Sequence, residues 1–290
     1  MTAATAAHGS TAAPGFPGAD AVLARATGEN FAVTTLLLGR AATRHLTAVY
    51  GFARLVDELG DAAEGDRLSH LDRAEHELDL AYTGEPEHPL FRSLAATIRA
   101  CNLPRGPFLR LIEANRRDQT QTEYATFAEL LDYCTLSANP VGELVLHIFG
   151  AATPERILLS DSVCTALQVI EHLQDVREDA LRGRVYLPAE DRSEAGVTAS
   201  DLTATVTGDP LRRVIALESE RAATLLAAGT ALVASLRGRA RLAVAGYVGG
   251  GRAALEALAA GDYDVLSSTL RASRARRMTR TVQTLVEAAR

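Results

Sequence analysis

Five acidic residues fall into two groups whose spacing suits cation binding. Glu171, Asp175 and Asp179 recur at every fourth position in TALQVIEHLQDVREDALRGRVYLP, which runs from Thr165 to Pro188. On an α-helix, residues four apart lie one turn apart on nearly the same side, about 6 Å along the axis. Gln168, three residues before Glu171, joins that side, while Leu167, Ile170, Leu173 and Val176 are interleaved and pack elsewhere. Like charges so spaced repel by only roughly 0.2–0.5 kcal/mol per pair, so the row alone also suits a solvated face. The deciding feature is a second pair far upstream. Asp57 and Asp61 are four apart in AVYGFARLVDELGD, with Arg54 and Tyr50 on the preceding turns. Two helices carrying such pairs can face one another across a cavity. Facing carboxylates at close range need cations, and ligands made of oxygen alone suit Mg²⁺, which keeps waters and bridges to substrate phosphates.

The elements that must position these groups are helices. The 290 residues are 47% apolar but only 5% aromatic, without tryptophan, so the core is built from Leu, Ala and Val. Such a composition favours helix. The net charge is −6 and no basic block stands out, which excludes nucleic acid as a partner. Lysine is absent, which removes Schiff-base lysine chemistry and a P-loop lysine together. Cys101, Cys134 and Cys164 are widely spaced and read as small buried hydrophobes in a reducing compartment. The N-terminus has no basic region followed by an apolar one, so a cytoplasmic protein is expected. The longest apolar run, Ala222–Leu236, is too short to span a membrane and reads as a core helix.

In order, residues 1–19 read as a disordered tail and 20–290 as one all-α domain of roughly ten helices. A helix is expected to begin near Asp20. Helices follow over 41–61, over 65–82 with Leu68, Leu71, Leu78 and Tyr82 inward, over 90–101 and over 107–118. Another starts at Thr126 and is interrupted by Ser137-Ala138-Asn139-Pro140, where proline removes a backbone bond and kinks the axis. The acidic row then occupies one helix from Pro154 to about Leu181, closed by Gly183. Residues 190–209 read as irregular, and helices over 210–236, 238–260 and 263–289 complete the chain. Gly249-Gly250-Gly251 has no strand before it, so a close helix crossing is expected rather than a dinucleotide loop. Arg271, Arg274, Arg276, Arg277 and Arg280 spread around the last helix as a solvated face that could also rest on anionic lipid.

The pieces ENFAV, AVYGFARLVDELGD, DQTQTEYATFAELLDYCTLSANPVGEL and CTALQVIEHLQDVREDALRGRVYLP, in this order and spacing, resemble the squalene/phytoene synthase family. The resemblance covers most of the chain from about Glu29 to Leu266. It implies a single-domain isoprenoid synthase helical bundle around a central cavity, a cluster of Mg²⁺ ions, and a prenyl diphosphate substrate. Carried over by position, Asp57 and Asp61 would be the first metal-binding pair, and Asp175 and Asp179 the second, with Glu171 beside them. Arg54, Tyr50, Gln168 and Arg184 would touch diphosphate or orient the ligands.

This chain departs from the family pattern at three places. Glu171 stands where the family usually has Asn. The tyrosine expected three residues beyond Tyr133 is replaced by Leu136. SSTLRAS replaces an expected RP-containing segment. YCTLSANPVG, with ENFAV, is most similar to the bacterial hydroxysqualene synthase branch of hopanoid and squalene biosynthesis. That likeness implies a lyase converting presqualene diphosphate and water to hydroxysqualene with release of diphosphate. It also implies functional links to a presqualene diphosphate synthase and a hydroxysqualene reductase, and is compatible with peripheral membrane association. The alternatives are a head-to-head prenyl transferase making presqualene diphosphate, squalene or phytoene, and a non-catalytic helical partner in which Glu171 has spoiled the metal cluster.

Overall fold

The computed structural model describes residues 38–268 and 270–290. The tail assigned to 1–19, the helix expected near Asp20 and the ENFAV motif lie outside the described residues. Fourteen helices lie within them, joined by short loops, and the only strand-like pairing described is an isolated bridge between Glu123 and Val185.

Helix α1 (Arg40–Asp61) buries Leu46, Val49, Phe52, Leu55, Val56 and Leu59. Tyr50, Arg54, Asp57 and Asp61 lie one to two residues round from this stripe and remain accessible. The stripe packs on α2 (Arg67–Thr83), α3 (Pro89–Cys101) and α4 (Arg105–Arg117). Phe52 is the pivot: its ring meets Phe91 edge-on at 5.7 Å and Phe108 at 5.0 Å. Asp66 caps α2 by accepting from the amides of Leu68 and Ser69. Leu71 and Leu78 point inward as expected, but Leu68, in the first turn of α2, is 46% exposed. Asn102 ends α3 in the left-handed region, with φ 49°, and Pro104 prevents continuation.

Helix α5 (Phe127–Ser137) starts at Thr126, whose hydroxyl accepts from the Glu129 amide. Helix α6 (Asn139–Ile148) follows after Ala138 alone, so the proline segment is a break without a loop. There Asn139 Oδ1 accepts from Thr165 Oγ1 at 2.9 Å. Gly142 presses α6 onto α7 (Pro154–Gln174) so closely that a Cβ would lie 2.3 Å from Ser160 Oγ.

The acidic row does not ride on one helix to Leu181. Helix α7 ends at Gln174, Asp175 leaves helical geometry at φ −109°, ψ 13°, and the short α8 (Val176–Leu181) resumes. The break falls where Asp175, Glu178 and Asp179 repel one another and where Asp is a poor helix former. Gly183 closes α8 at φ 80°, as its position after the row implies.

Residues 190–209 carry order that composition hid, in α9 (Ala189–Ala195) and α10 (Ala199–Leu202). A reciprocal cap between Thr198 and Asp201 fixes the second of these. The span 210–236 divides at Ala227 into α11 (Asp209–Leu226) and α12 (Ala228–Ser235). Helix α13 (Gly238–Ala260) runs unbroken through the three glycines. Helix α14 (Arg274–Glu287) begins later than expected, because Asp262 and Tyr263 turn the chain at positive φ.

The glycine triplet is a helix crossing. A Cβ on Gly249 would lie 2.5 Å from the Thr281 backbone nitrogen of α14, and one on Gly251 would meet Leu167 at 2.8 Å, whereas one on Gly250 meets nothing within 4 Å. Gly249→Ala is therefore expected to destabilise the fold by about 1–3 kcal/mol through overpacking. Gly250→Ala should stabilise it by about 0.5–1 kcal/mol by removing chain entropy from a helix interior. Urea unfolding of the two neighbours reads the difference, and equal effects would refute the crossing.

Candidate active site

The site is built where the C-terminal end of α1 meets the end of α4. Gly60 permits the approach: a Cβ there would sit 2.2 Å from Asn115 Oδ1. Through this gap Asn115 Nδ2 donates to Asp57 Oδ1 at 3.2 Å and to the Leu111 carbonyl at 3.2 Å. One turn on, Gln119 Nε2 donates to the carbonyls of Gly60 at 3.0 Å and Asn115 at 2.8 Å. The two helix ends are thus tied side chain to backbone, and Asp57 is oriented from α4.

Solvent still reaches Asp57, yet protein surrounds it so closely that burial raises its carboxyl to about 7. The recess that the structure shows beside these groups is lined by His172, Asp179, Arg184 and Tyr186. The Asn115 hydrogen bond and the Arg54 charge oppose the rise, while the charges of Asp61 and Glu171 add to it. The Glu171 influence is the first sign that the two acidic groups share a space. The second is an ion pair between Arg184 Nη1, just beyond α8, and Asp61 Oδ1 at 2.6 Å. The Arg184 side chain is mostly buried, and its backbone amide donates to the Asp179 carbonyl at 2.9 Å. This one residue therefore links the second acidic segment to the first.

Asp118 lies between them. Burial raises its carboxyl to about 6, against the hydrogen bond from Tyr133 Oη at 2.8 Å and the charge of Arg184. Its Oδ1 is buried without a hydrogen-bond partner among the described residues. Tyr133, Tyr124 and Tyr186 form an aromatic wall, and the His172 ring stacks on Tyr186 at 3.7 Å and 11°. Gln168 does not point freely into the recess. Its Nε2 lies 3.2 Å from His172 Nε2, and His172 Nδ1 lies 3.8 Å from Asp179 Oδ2. The row thus runs Gln168–His172–Asp179 along one line, with Glu171 exposed beside it. Asp175 is half-buried, and its carboxyl is raised by burial and then by Asp179 and Glu178, with Arg271 opposing.

The structure brings Arg54, Asp57, Asp61, Glu171 and Arg184 within electrostatic reach of one another and joins Gln168 to Asp179 through His172. It sets Asp175 with Asp179 on the far side of the helix break. Tyr50 lies one turn from Arg54 on the accessible side of α1. Sequence reasoning missed Asn115, Asp118, Gln119, His172 and Tyr186. The spacing of the first three, three and four residues apart at and just beyond the end of α4, was a usable signal.

A caged metal does not fit these positions: among the described residues no three acidic, histidine or cysteine side chains converge on one point. A divalent ion at this site would have to be completed by phosphate oxygens and water. The carboxylates come from opposite segments, their repulsion is only partly offset, and Arg54 Nε is a buried donor without a hydrogen-bond partner among the described residues.

The chain resembles known proteins over most of its length. A family model described as squalene/phytoene synthase matches residues 24–278. The chain is 35% identical over 205 residues to hydroxysqualene synthase of Zymomonas mobilis, an alignment covering 68% of this chain and 67% of that one. It is 32% identical over 202 residues to phytoene synthase 1 of Zea mays, covering 67% of this chain but only 49% of the maize protein. Among solved structures, squalene synthase HpnC from Alicyclobacillus acidocaldarius superposes with a TM-score of 0.78 at 46% identity, covering 84% of this chain and 94% of that one. A dehydrosqualene synthase shares the fold with a TM-score of 0.82 at 21% identity, covering 92% and 94% of the two chains.

The raised carboxyl groups set a pH dependence. In the metal-free protein Asp57 holds its proton to about pH 7 and Asp118 to about pH 6, well above an unfolded aspartate. The folded state therefore binds more protons than the unfolded state between about pH 4 and 7, and stability falls as pH rises through that window. Thermal melting from pH 5 to 7.5 should show this decline, and Asp57→Asn should flatten it. An unchanged slope in that variant would show that Asp57 is normally hydrated.

Proposed function

Because the chain belongs to the squalene/phytoene synthase family, we propose that it converts presqualene diphosphate and water to hydroxysqualene with release of diphosphate. The observation that carries this reading is the meeting of the two acidic segments, made by Arg184 on Asp61 and by the field of Glu171 at Asp57. The likeness to the Zymomonas and Alicyclobacillus proteins supports this branch of the family.

In this reading the carbon–oxygen bond to diphosphate breaks with both electrons leaving on the diphosphate. Water then bonds to the rearranged carbocation and gives up a proton. Arg54 and Arg184 bind the anionic end, where a guanidinium makes bidentate contacts to phosphate. Arg184 is oriented in advance by Asp61, and Asp57 by Asn115. Gln168 fixes His172 against Tyr186, which holds this wall of the recess in place. Asp57, Asp61, Glu171, Asp175 and Asp179 would hold Mg²⁺, which supplies charge neutralisation and Lewis-acid assistance to the departing diphosphate.

A second reading, head-to-head condensation of two prenyl diphosphates, is favoured by the phytoene synthase relatives. Leu136, standing where condensing members carry a tyrosine, weighs against it if that phenol serves the first half-reaction.

Product analysis separates the two readings. Purified protein with Mg²⁺ and presqualene diphosphate should give a hydroxylated triterpene, and farnesyl diphosphate alone should give none. Turnover of farnesyl or geranylgeranyl diphosphate as sole substrate would establish condensation instead. Asp57→Ala and Asp175→Ala should each lower turnover by about 100-fold or more, the scale of a lost charge-stabilising group. Mg²⁺ with pyrophosphate should raise the melting temperature of the parent protein and not of Asp57→Ala. An active Asp175→Ala enzyme would remove the second acidic segment from the site.

A further inference from the structure

Helix α14 presents an apolar stripe to solvent. Met278, Val282 and Val286 recur every fourth residue and are 48%, 50% and 50% exposed. The opposite side of the helix is packed: Thr284 is fully buried and Thr281 lies against Gly249 of α13. The helix is anchored by ion pairs from Arg252 to Glu287 at 2.6 Å and between Arg280 and Glu256. Those pairs engage the acidic groups at this crossing. Arg274 and Arg276, at the start of the helix, are exposed and make no ion pair among the described residues. An exposed apolar stripe with unneutralised arginines at one end, on a protein of net charge −6, is a local reversal of the molecule's charge.

We propose that α14 is a docking face for an anionic lipid surface, with the stripe inserted among acyl chains and Arg274 and Arg276 on headgroups. Charge complementarity selects this occupant. Lipid phosphates neutralise arginines that find no acid among the described residues. No described helix is long and apolar enough to cross a membrane, so the contact is one of lying on the surface. The placement also joins this face to the acidic site. The segment leading into α14 rests on the end of α7, where Gln174 Nε2 donates to the Leu270 carbonyl at 2.8 Å, and Arg271 acts on Asp175. A helix seated on lipid therefore holds the second acidic segment close to the layer where long apolar diphosphates reside.

Co-sedimentation with vesicles tests this independently of any reaction. The full chain should bind vesicles of phosphatidylglycerol and phosphatidylcholine, should not bind phosphatidylcholine alone, and should release as salt is raised. Arg274→Gln and Arg276→Gln should each weaken the partition by about fivefold, the equivalent of about 1 kcal/mol per arginine at an anionic surface. Met278→Ser with Val282→Ser should weaken it while leaving the thermal melt unchanged, since both side chains already face water. Absence of binding to anionic vesicles would overturn the proposal. So would partition unaffected by the serine pair, or a dimer in analytical ultracentrifugation that the serine pair dissociates.

Discussion

Carboxylates from two distant stretches of chain are held near one another against their own repulsion. Burial and mutual charge lift Asp57 to about 7, so a charged site is costly to assemble without a counterion. The cost is carried by packing that has nothing to do with charge. Behind Asp57 lies the Phe52, Phe91 and Phe108 cluster, and behind Glu171 lie Val169, Ile170 and Leu173. Part of the compensation is made by the chain itself, through Arg184 on Asp61 and Asn115 and Arg54 on Asp57. The remainder of the imbalance is what makes the recess receptive to cations together with a polyanion.

Polar second partners give the arrangement its order. Asn115 and Gln119 lock α4 to the last turn of α1, and His172 sits between Gln168, Asp179 and Tyr186. Asn115 places an amide beside Asp57 and His172 an imidazole beside Asp179, whereas Gln119 holds backbone carbonyls. The helix break at Asp175 has a similar effect by geometry. It turns Asp175 and Asp179 relative to Glu171, so that three acids at regular spacing in sequence do not form a regular row in space.

Much of the fold and the outline of the site were legible in the chain. The stripe of α1, the caps at Thr126 and Gly183, the proline break and the glycine crossing all follow from local rules that tertiary context respects. What escaped were features decided between elements. Leu68 reads as inward by period but is exposed in the first turn of its helix. The helix carrying the acids reads as continuous because its period is unbroken, yet it stops at Asp175, where acids crowd and Asp is a poor helix former. Gln168 reads as a site ligand, yet its amide is engaged with His172, one turn away on the same helix. Asp118 reads as the charged end of a helix, and its burial depends on Tyr133, fifteen residues later, swinging its hydroxyl back.

The gap left by Gly60 links two positions that are far apart in the chain. Because Asn115 fills the volume a side chain at 60 would occupy, neither residue can drift alone. Any larger residue at 60 demands a smaller one at 115, and the smaller one abandons Asp57. The glycine, which carries no functional group, is thereby made hereditary baggage of the acid three places before it.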